Sequence, residues 1–305
     1  MILTLINVFL REHFMAVLSY YPWLYPLFAT IFGLLIGSFL NVVIYRLPIM
    51  MERQWRQECH DCFPELDVPL QNDPTPFNLS VPRSRCPHCN HAISALENIP
   101  VISWLVLKGK CRACKAPISK RYPAIEILTA IISLIVALVL PPTWWAVAVL
   151  GASFALIALT FIDLDKMLLP DQITLPLMWA GILLAIMGIS PISLTDSVIG
   201  AIAGYLSLWS VFWGFKLLTK KDGMGYGDFK LLAAIGAWVG WSLLPFVVLL
   251  SSLVGAIFGI IMLRIKQEDQ QTPFSFGPYL AVAGWIAMLW GEPILNWYVS
   301  SYLGF

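Results

Sequence analysis

Two aspartates stand at the edges of long apolar runs: Asp163 in FIDLDKMLLPD (161–171) and Asp228 in GMGYGDFK (223–230). A carboxylate at a bilayer edge is costly unless it is hydrated, paired or used, so such acids are functional candidates. Two carboxylates can hydrolyse a peptide bond together. The ionised one activates a water while the protonated one donates to the carbonyl oxygen, because two like charges about 3 Å apart do not both ionise cheaply. The chemistry requires acids from different segments facing one water. Asp163 closes one apolar run and Asp228 opens another on the same side of the predicted topology, so helix packing has to bring them together.

The neighbouring acids have plainer readings. Asp165, beside Lys166, reads as a solvated or paired carboxylate, although it lies only two residues from Asp163 and rivals it. Asp171 follows Pro170 and precedes ITLPLMWAGILL, where a helix N-cap belongs. Asp228 stands where it would cap the FKLLAAIG helix, but Gly223, Gly225 and Gly227 precede it. Those glycines let backbone approach closely and set amides around the acid, or they form a plain flexible turn. Glu126, in RYPAIEILTA, is either a first-turn acid favoured by the helix dipole or a contact for an amine-bearing ligand. Gly33 and Gly37 form a GxxxG, which predicts helix packing.

The elements that must position these residues follow from composition. Hydrophobic residues make up 59% of the 305, charged residues 12%, and the mean hydropathy is +0.77. A soluble globule carries about twice that charged fraction. The chain therefore reads as an all-α polytopic membrane protein with about eight transmembrane helices, near 23–45, 123–140, 144–162, 172–189, 195–217, 229–241, 243–263 and 277–298. The run 229–241 is the shortest. With eight alternating spans, the loops 46–122, 163–171, 218–230 and 264–276 and their edges hold every Lys and Arg except Arg11, so that face is predicted cytoplasmic and both termini outer. Trp144, Trp145, Trp238 and Trp241 fall in the opposite loops, as an aromatic belt would.

Residues 1–22 lack the basic n-region and cleavage site of a signal peptide and are expected along the outer interface. A net charge of +1, spread over inner loops, gives no case for nucleic-acid binding. No inverted repeat of the transporter type is visible, and the only low-complexity tract is the brief QEDQQ at 267–271.

A polar, Pro-rich insertion, 47–121, holds all six cysteines. Around it the organisation reads as an outer segment and first span (1–46), a cytoplasmic zinc-binding insertion (47–121) and a transmembrane core (122–305). Cys86-Pro-His-Cys89 and Cys111-Arg-Ala-Cys114 are CxxC knuckles with 21 residues between them, close to zinc-site spacing. Four thiolates close a tetrahedral structural Zn2+ site, and a reducing face disfavours disulfides. A third pair, Cys59-His-Asp-Cys62, leaves the choice of tetrad open in principle. Spacing favours Cys86, Cys89, Cys111 and Cys114, with Cys59, His60 and Cys62 either incidental or a second site.

At this point the sequence resembles a known family, the type 4 prepilin leader peptidases that are also N-methyltransferases. The resemblance rests on GSFLNVVIYRLP (37–48), SRCPHC (84–89), ENIPVISWLVLKGKCRAC (97–114), ISKRYPAIE (118–126), FIDLDKMLLPD, GMGYGDFKL and FGPYLA (276–281), and covers nearly everything from about residue 30. The family's G-x-G-D motif falls on Gly225-Tyr226-Gly227-Asp228, and its other aspartate on Asp163, seven residues before Pro170.

The resemblance implies an aspartyl peptidase of the bacterial inner membrane with its site facing the cytoplasm. Its partners would be membrane lipid and the prepilins and type II secretion pseudopilins whose short basic leaders it removes. It also implies methylation of the new N-terminus from S-adenosylmethionine by the first part of the chain. Asn41, Arg46 and Glu126 are candidates there for binding that cofactor, and no GxGxxG after a strand marks a Rossmann-type site. The CHDC pair departs from the family's pattern. Two other classes compete: a transporter or channel using Asp163 and Asp228 as a proton or cation relay, which would place acids deep in the spans, and a non-catalytic scaffold around the zinc module. Oligomeric state is not legible in the sequence.

Overall fold

The computed structural model describes residues 20–65, 76–221, 223–266 and 275–303. Most of the segment 1–22, and all of 267–271, lie outside the described residues. Eight apolar helices form where the hydropathy predicts them: α1 (Leu24–Cys62), α2 (Arg121–Val139), α3 (Trp144–Lys166), α4 (Asp171–Ile186), α5 (Leu194–Thr219), α6 (Tyr226–Val239), α7 (Leu244–Lys266) and α8 (Gly277–Tyr298). Among the described residues there is no strand, only two isolated bridges. Among the described residues, five segments are long and apolar enough to cross a membrane: α1, α2, α3, α5 and Trp241–Ile261. The protein is an all-α, multi-pass membrane protein.

The chain divides into two compact units, Met1–Asn41 with Arg83–Leu150, and Val42–Pro82 with Gly151–Phe305. In the first, α1 and α2 pack through small residues. A Cβ built on Gly33 would lie 2.3 Å from Ser133 Oγ, and one on Gly37 would lie 2.7 Å from Glu126 Cα. The GxxxG is therefore a packing seam. The outward face of α1 is apolar and exposed, with Phe28, Phe32 and Leu35 all at least half exposed.

Helix α1 does not stop at the expected membrane edge near residue 45. It runs through Pro48 to Cys62, 39 residues in all, or about 58 Å at 1.5 Å per residue. Surface pairs one turn apart support the extension, Arg56 with Glu52 and Gln54 with Glu58.

The second unit is built around α6. This helix is apolar on all sides, and every residue from Asp228 to Val239 except Lys230 is buried, which is the pattern of a central helix. Its shortness at 14 residues follows from its surroundings, since it is bounded by Gly225 and by Gly240 at φ 78° and packed on by α4, α5 and α8. Gly181 admits Trp238, Gly204 approaches the Leu232 carbonyl, and Gly284 admits Ile235. Trp238 thereby departs from the aromatic-belt expectation. It sits inside α6, 3% exposed, and donates Nε1–H to the Leu177 carbonyl at 2.7 Å. Trp144 and Trp241 are exposed as expected.

The tightest crossing joins α5 and α6, where a Cβ on Gly236 would fall 2.2 Å from the Gly200 carbonyl oxygen. That neighbour is backbone and cannot swing aside. Gly236→Ala is expected to destabilise the protein by roughly 1–3 kcal/mol, read as a lower thermal midpoint in detergent. Gly214→Ala, where nothing lies within 4 Å, should leave the midpoint near that of the parent.

Candidate functional site

Asp163 lies in the last turn of α3, 5% exposed. The helix ends just beyond it, with Met167 in the left-handed region at φ 51° and its amide on the Asp163 carbonyl at 2.8 Å. The acid therefore sits at the negative end of its own helix, a poor place for a carboxylate. Compensation comes from the start of α8. Ser275 donates its hydroxyl to Asp163 Oδ2 at 2.5 Å, and the Gly277 amide donates to the same oxygen at 3.1 Å. Asp165, two residues on, points to the opposite face of α3 and is exposed. Helical geometry thus separates the two rivals.

Asp228 is the third residue of α6, 7% exposed. It lies in the first turn of α6, just after the N-cap Gly225, where the positive end of the helix favours an acid. Its Oδ1 is buried and meets no hydrogen-bond partner among the described residues. Asp163 is close enough for its charge to act on Asp228. Leu169 packs between their supports: a Cβ on Gly227 would lie 2.9 Å from Leu169 Cβ, and one on Gly277 would lie 3.3 Å from Leu169 Cδ1. Glycine at both positions is what permits this closeness. Two buried acids from α3 and α6 thus lie on either side of Leu169, and one carries an oxygen that meets no partner among the described residues.

Asp171 is not the cap its position suggests. Pro170 occupies the N-cap and Asp171 is the first helical residue of α4. Its carboxylate instead takes Lys230 Nζ at 2.7 and 2.8 Å. Both partners are about a third or more exposed, so the pair contributes on the order of 1 kcal/mol or less. Sequence reasoning assigned no role to Ser275, Leu169 or the amide of Gly277. The signal for the last was present, since FGPYLA carries a proline at a helix start.

The cysteine tetrad assembles as the spacing predicts. The Sγ atoms of Cys86, Cys89, Cys111 and Cys114 all lie within 4.8 Å of one another, with Cys86 to Cys114 at 3.7 Å and Cys89 to Cys111 at 4.0 Å. A tetrahedron with Zn–S bonds of about 2.3 Å requires S···S of about 3.8 Å, so the donor set fits zinc.

The knuckles are copies of one design. In each, the first cysteine is buried and the second exposed, the next residue, Asn90 or Lys115, has φ near 60°, and a bridge closes the loop, Arg85 to Ala92 or Lys110 to Pro117. Amides of Cys89 and His88 lower the Cys86 thiol to about 6, and those of Cys114 and Ala113 lower Cys111, while burial beside the other thiols raises Cys89, so the buried first cysteine of each knuckle is the one whose thiolate is favoured.

Glu97 ties the two knuckles together. It accepts from the Ser94 amide and hydroxyl at 2.9 Å and reaches His91 at 3.4 Å and Arg112 at 3.6 Å. The Ser94 donors hold it near 2, well below the usual carboxylate range. Cys59 and Cys62 lie at the end of α1, and the metal-capable group found among the described residues does not include them.

The three cofactor candidates all engage backbone. The Asn41 side-chain amide donates to the carbonyls of Gly37 and Tyr122, each at 3.2 Å. Glu126 accepts the Val101 amide at 2.8 Å, holding a β-branched residue at φ 59°. Such a backbone persists only where its surroundings enforce it. Arg46 donates to the carbonyls of Asn78 at 2.8 Å and Pro82 at 2.6 Å and lies over the Phe77 ring.

A multi-pass helical fold, two buried aspartates at helix ends and a cluster of four cysteines define a polytopic membrane protein with an accessory segment able to hold a metal ion. The comparisons narrow this class. Residues 31–140 match the bacterial peptidase A24 N-terminal domain, and residues 150–260 match the type IV leader peptidase family. The prepilin leader peptidase/N-methyltransferase of Aeromonas salmonicida is 60% identical over 92% of this chain and 96% of that protein. The proteins of the same description from Pseudomonas aeruginosa (52% identical, covering 94% of this chain and 98% of that one) and Legionella pneumophila (42%, covering 94% and 99%) are also similar. No solved structure matches the chain. The chain belongs to the prepilin leader peptidase/N-methyltransferase family, and is an enzyme with both hydrolase and methyltransferase activity.

Proposed function

We propose that this enzyme removes the short basic leader from type IV prepilins and type II secretion pseudopilins with Asp163 and Asp228, and then methylates the new N-terminal residue. The observation that carries the reading is the unequal pair. Asp163 is held by two donors on one oxygen, while Oδ1 of buried Asp228 meets no partner among the described residues. An ionised carboxylate needs donors, whereas a protonated one supplies its own O–H and needs an acceptor.

One acid takes a proton from water as the oxygen attacks the scissile carbonyl, and the other gives its proton to the carbonyl oxygen. Collapse of the tetrahedral intermediate breaks the C–N bond, and the first proton leaves on the amine. Acids at helix ends suit a substrate cut at the membrane surface whose apolar segment stays in the bilayer. The basic residues of the loops beside them support a cytoplasmic site in the bacterial inner membrane. Lipid is the other partner.

The peptidase reading is carried by the core, 122–305, and the methyl-transfer reading by 1–46 with the insertion 47–121. Cys86, Cys89, Cys111 and Cys114 would hold a structural Zn2+ that keeps the insertion folded. S-adenosylmethionine would be the methyl donor. The bonds of Asn41, Arg46 and Glu126 to backbone support a role in shaping this part of the chain. Mass spectrometry of a prepilin incubated with the purified enzyme, with and without S-adenosylmethionine, tests both steps. Leader loss in both samples and an added methyl group only with the donor is the expected result. An intact leader in both would sink the cleavage reading.

A further inference from the structure

The start of α8 does more than continue the fold. Ser275 and Gly277 come from a segment 112 and 114 residues beyond Asp163 in sequence, yet both donate to the same oxygen of a nearly buried acid. We propose that Ser275 and Gly277 are positioning residues for peptide cleavage: they clamp Asp163 Oδ2, and so turn the other edge of the carboxylate toward the water it activates. This inference rests on the aspartate-pair reading above.

Three features make the clamp specific. The hydroxyl and the amide are donors of different kinds converging on one atom, so the carboxylate cannot rotate about its Cβ–Cγ bond without breaking both bonds. The Gly277 amide is the first of helix α8, one of the N-terminal N–H groups that a helix leaves without an internal partner. It also brings the positive end of a helix dipole to an acid placed at the negative end of α3. Finally, there is no space at residue 277 for a side chain. A Cβ there would lie 2.5 Å from Asp163 Oδ2 and 3.2 Å from its Cγ, so glycine is required for the amide to reach the acid. Neither donor touches the reacting atoms, and both act through Asp163.

The test is steady-state cleavage of a purified prepilin by the full-length enzyme in detergent. Methylation of an already cleaved pilin by the same preparations serves as the folding control. Ser275→Ala should lower kcat by about 10- to 100-fold, the range for losing one hydrogen bond to a charged group, with KM within about twofold because uniform binding is untouched. Ser275→Thr, which restores a hydroxyl, should recover most of that loss. Gly277→Ala should lower kcat further, since its methyl displaces the carboxylate itself.

Methylation should be unchanged in all three. An unchanged kcat in Ser275→Ala and Gly277→Ala, alongside inactive Asp163→Asn and Asp228→Asn, would overturn the clamp and leave the aspartate pair standing. Retained cleavage in the two aspartate variants would remove the reading on which the clamp rests. A loss carried by KM, or a parallel fall in methylation, would also overturn the inference.

Discussion

Asp163→Asn and Asp228→Asn are each expected to lower prepilin cleavage by about 10³-fold or more, while methylation of an already cleaved pilin continues. A positioned acid or base contributes about 10²–10⁴-fold, and in the proposed mechanism the two carboxylates act on one water, so losing either would remove most of the shared effect. The double variant should be little slower than either single one. Both acids are buried, and the amide of asparagine is close in shape to the carboxyl, so the fold should persist.

Asp165→Asn is the internal control. Its side chain lies on the exposed side of α3, and cleavage should stay within about twofold of the parent. Full activity in Asp163→Asn with loss in Asp165→Asn would reverse the assignment. Leader removal followed by mass spectrometry separates these outcomes directly.

The second large effect concerns the metal. Cys111→Ser should weaken zinc binding by more than about 100-fold, since even changes to groups that only hydrogen-bond a metal's ligands cost about 10- to 100-fold. Segment 83–120 has little apolar core. Its described buried hydrophobic residues are Cys86 and Cys111 themselves, so with a zinc ion on the tetrad its fold would depend on that ion much as a zinc finger does. Removing zinc with a chelator should therefore loosen this segment and reduce methyl transfer at least tenfold, while cleavage persists. Metal analysis checks the assignment: Cys59→Ala should retain zinc that Cys111→Ser loses. Equal loss in both would mean that the CHDC pair belongs to the tetrad.

The membrane character was legible because it needs only local information. Long apolar runs specify helices whatever their neighbours, and all eight appear within a few residues of the expected bounds, the extension of α1 to Cys62 excepted. The tetrad was legible for a related reason. A CxxC is a complete half-site in four residues, and spacing favoured the pairing of Cys86 and Cys89 with Cys111 and Cys114 that the structure brings together.

Other features were hidden. Trp238 looked like a belt residue beside a loop, but α6 is enclosed by its neighbours and the indole finds the Leu177 carbonyl inside. Asp171 sits in cap sequence, yet Pro170 takes the cap and Lys230, 59 residues on, takes the carboxylate.

The sequence by itself determined which segments are helices, where the acids sit along them, and which thiols come as half-sites for an ion, because each of these follows from neighbours in the chain. Only the tertiary structure decided that Asp163 faces inward while Asp165 faces out, that Asp228 keeps an unpartnered oxygen near it, and that Ser275 and Gly277 hold Asp163 across 112 and 114 residues. The reason is physical. Which face of a helix is buried, and which distant backbone amide meets a carboxylate, depend on how glycine-lined surfaces pack, and no local pattern records that.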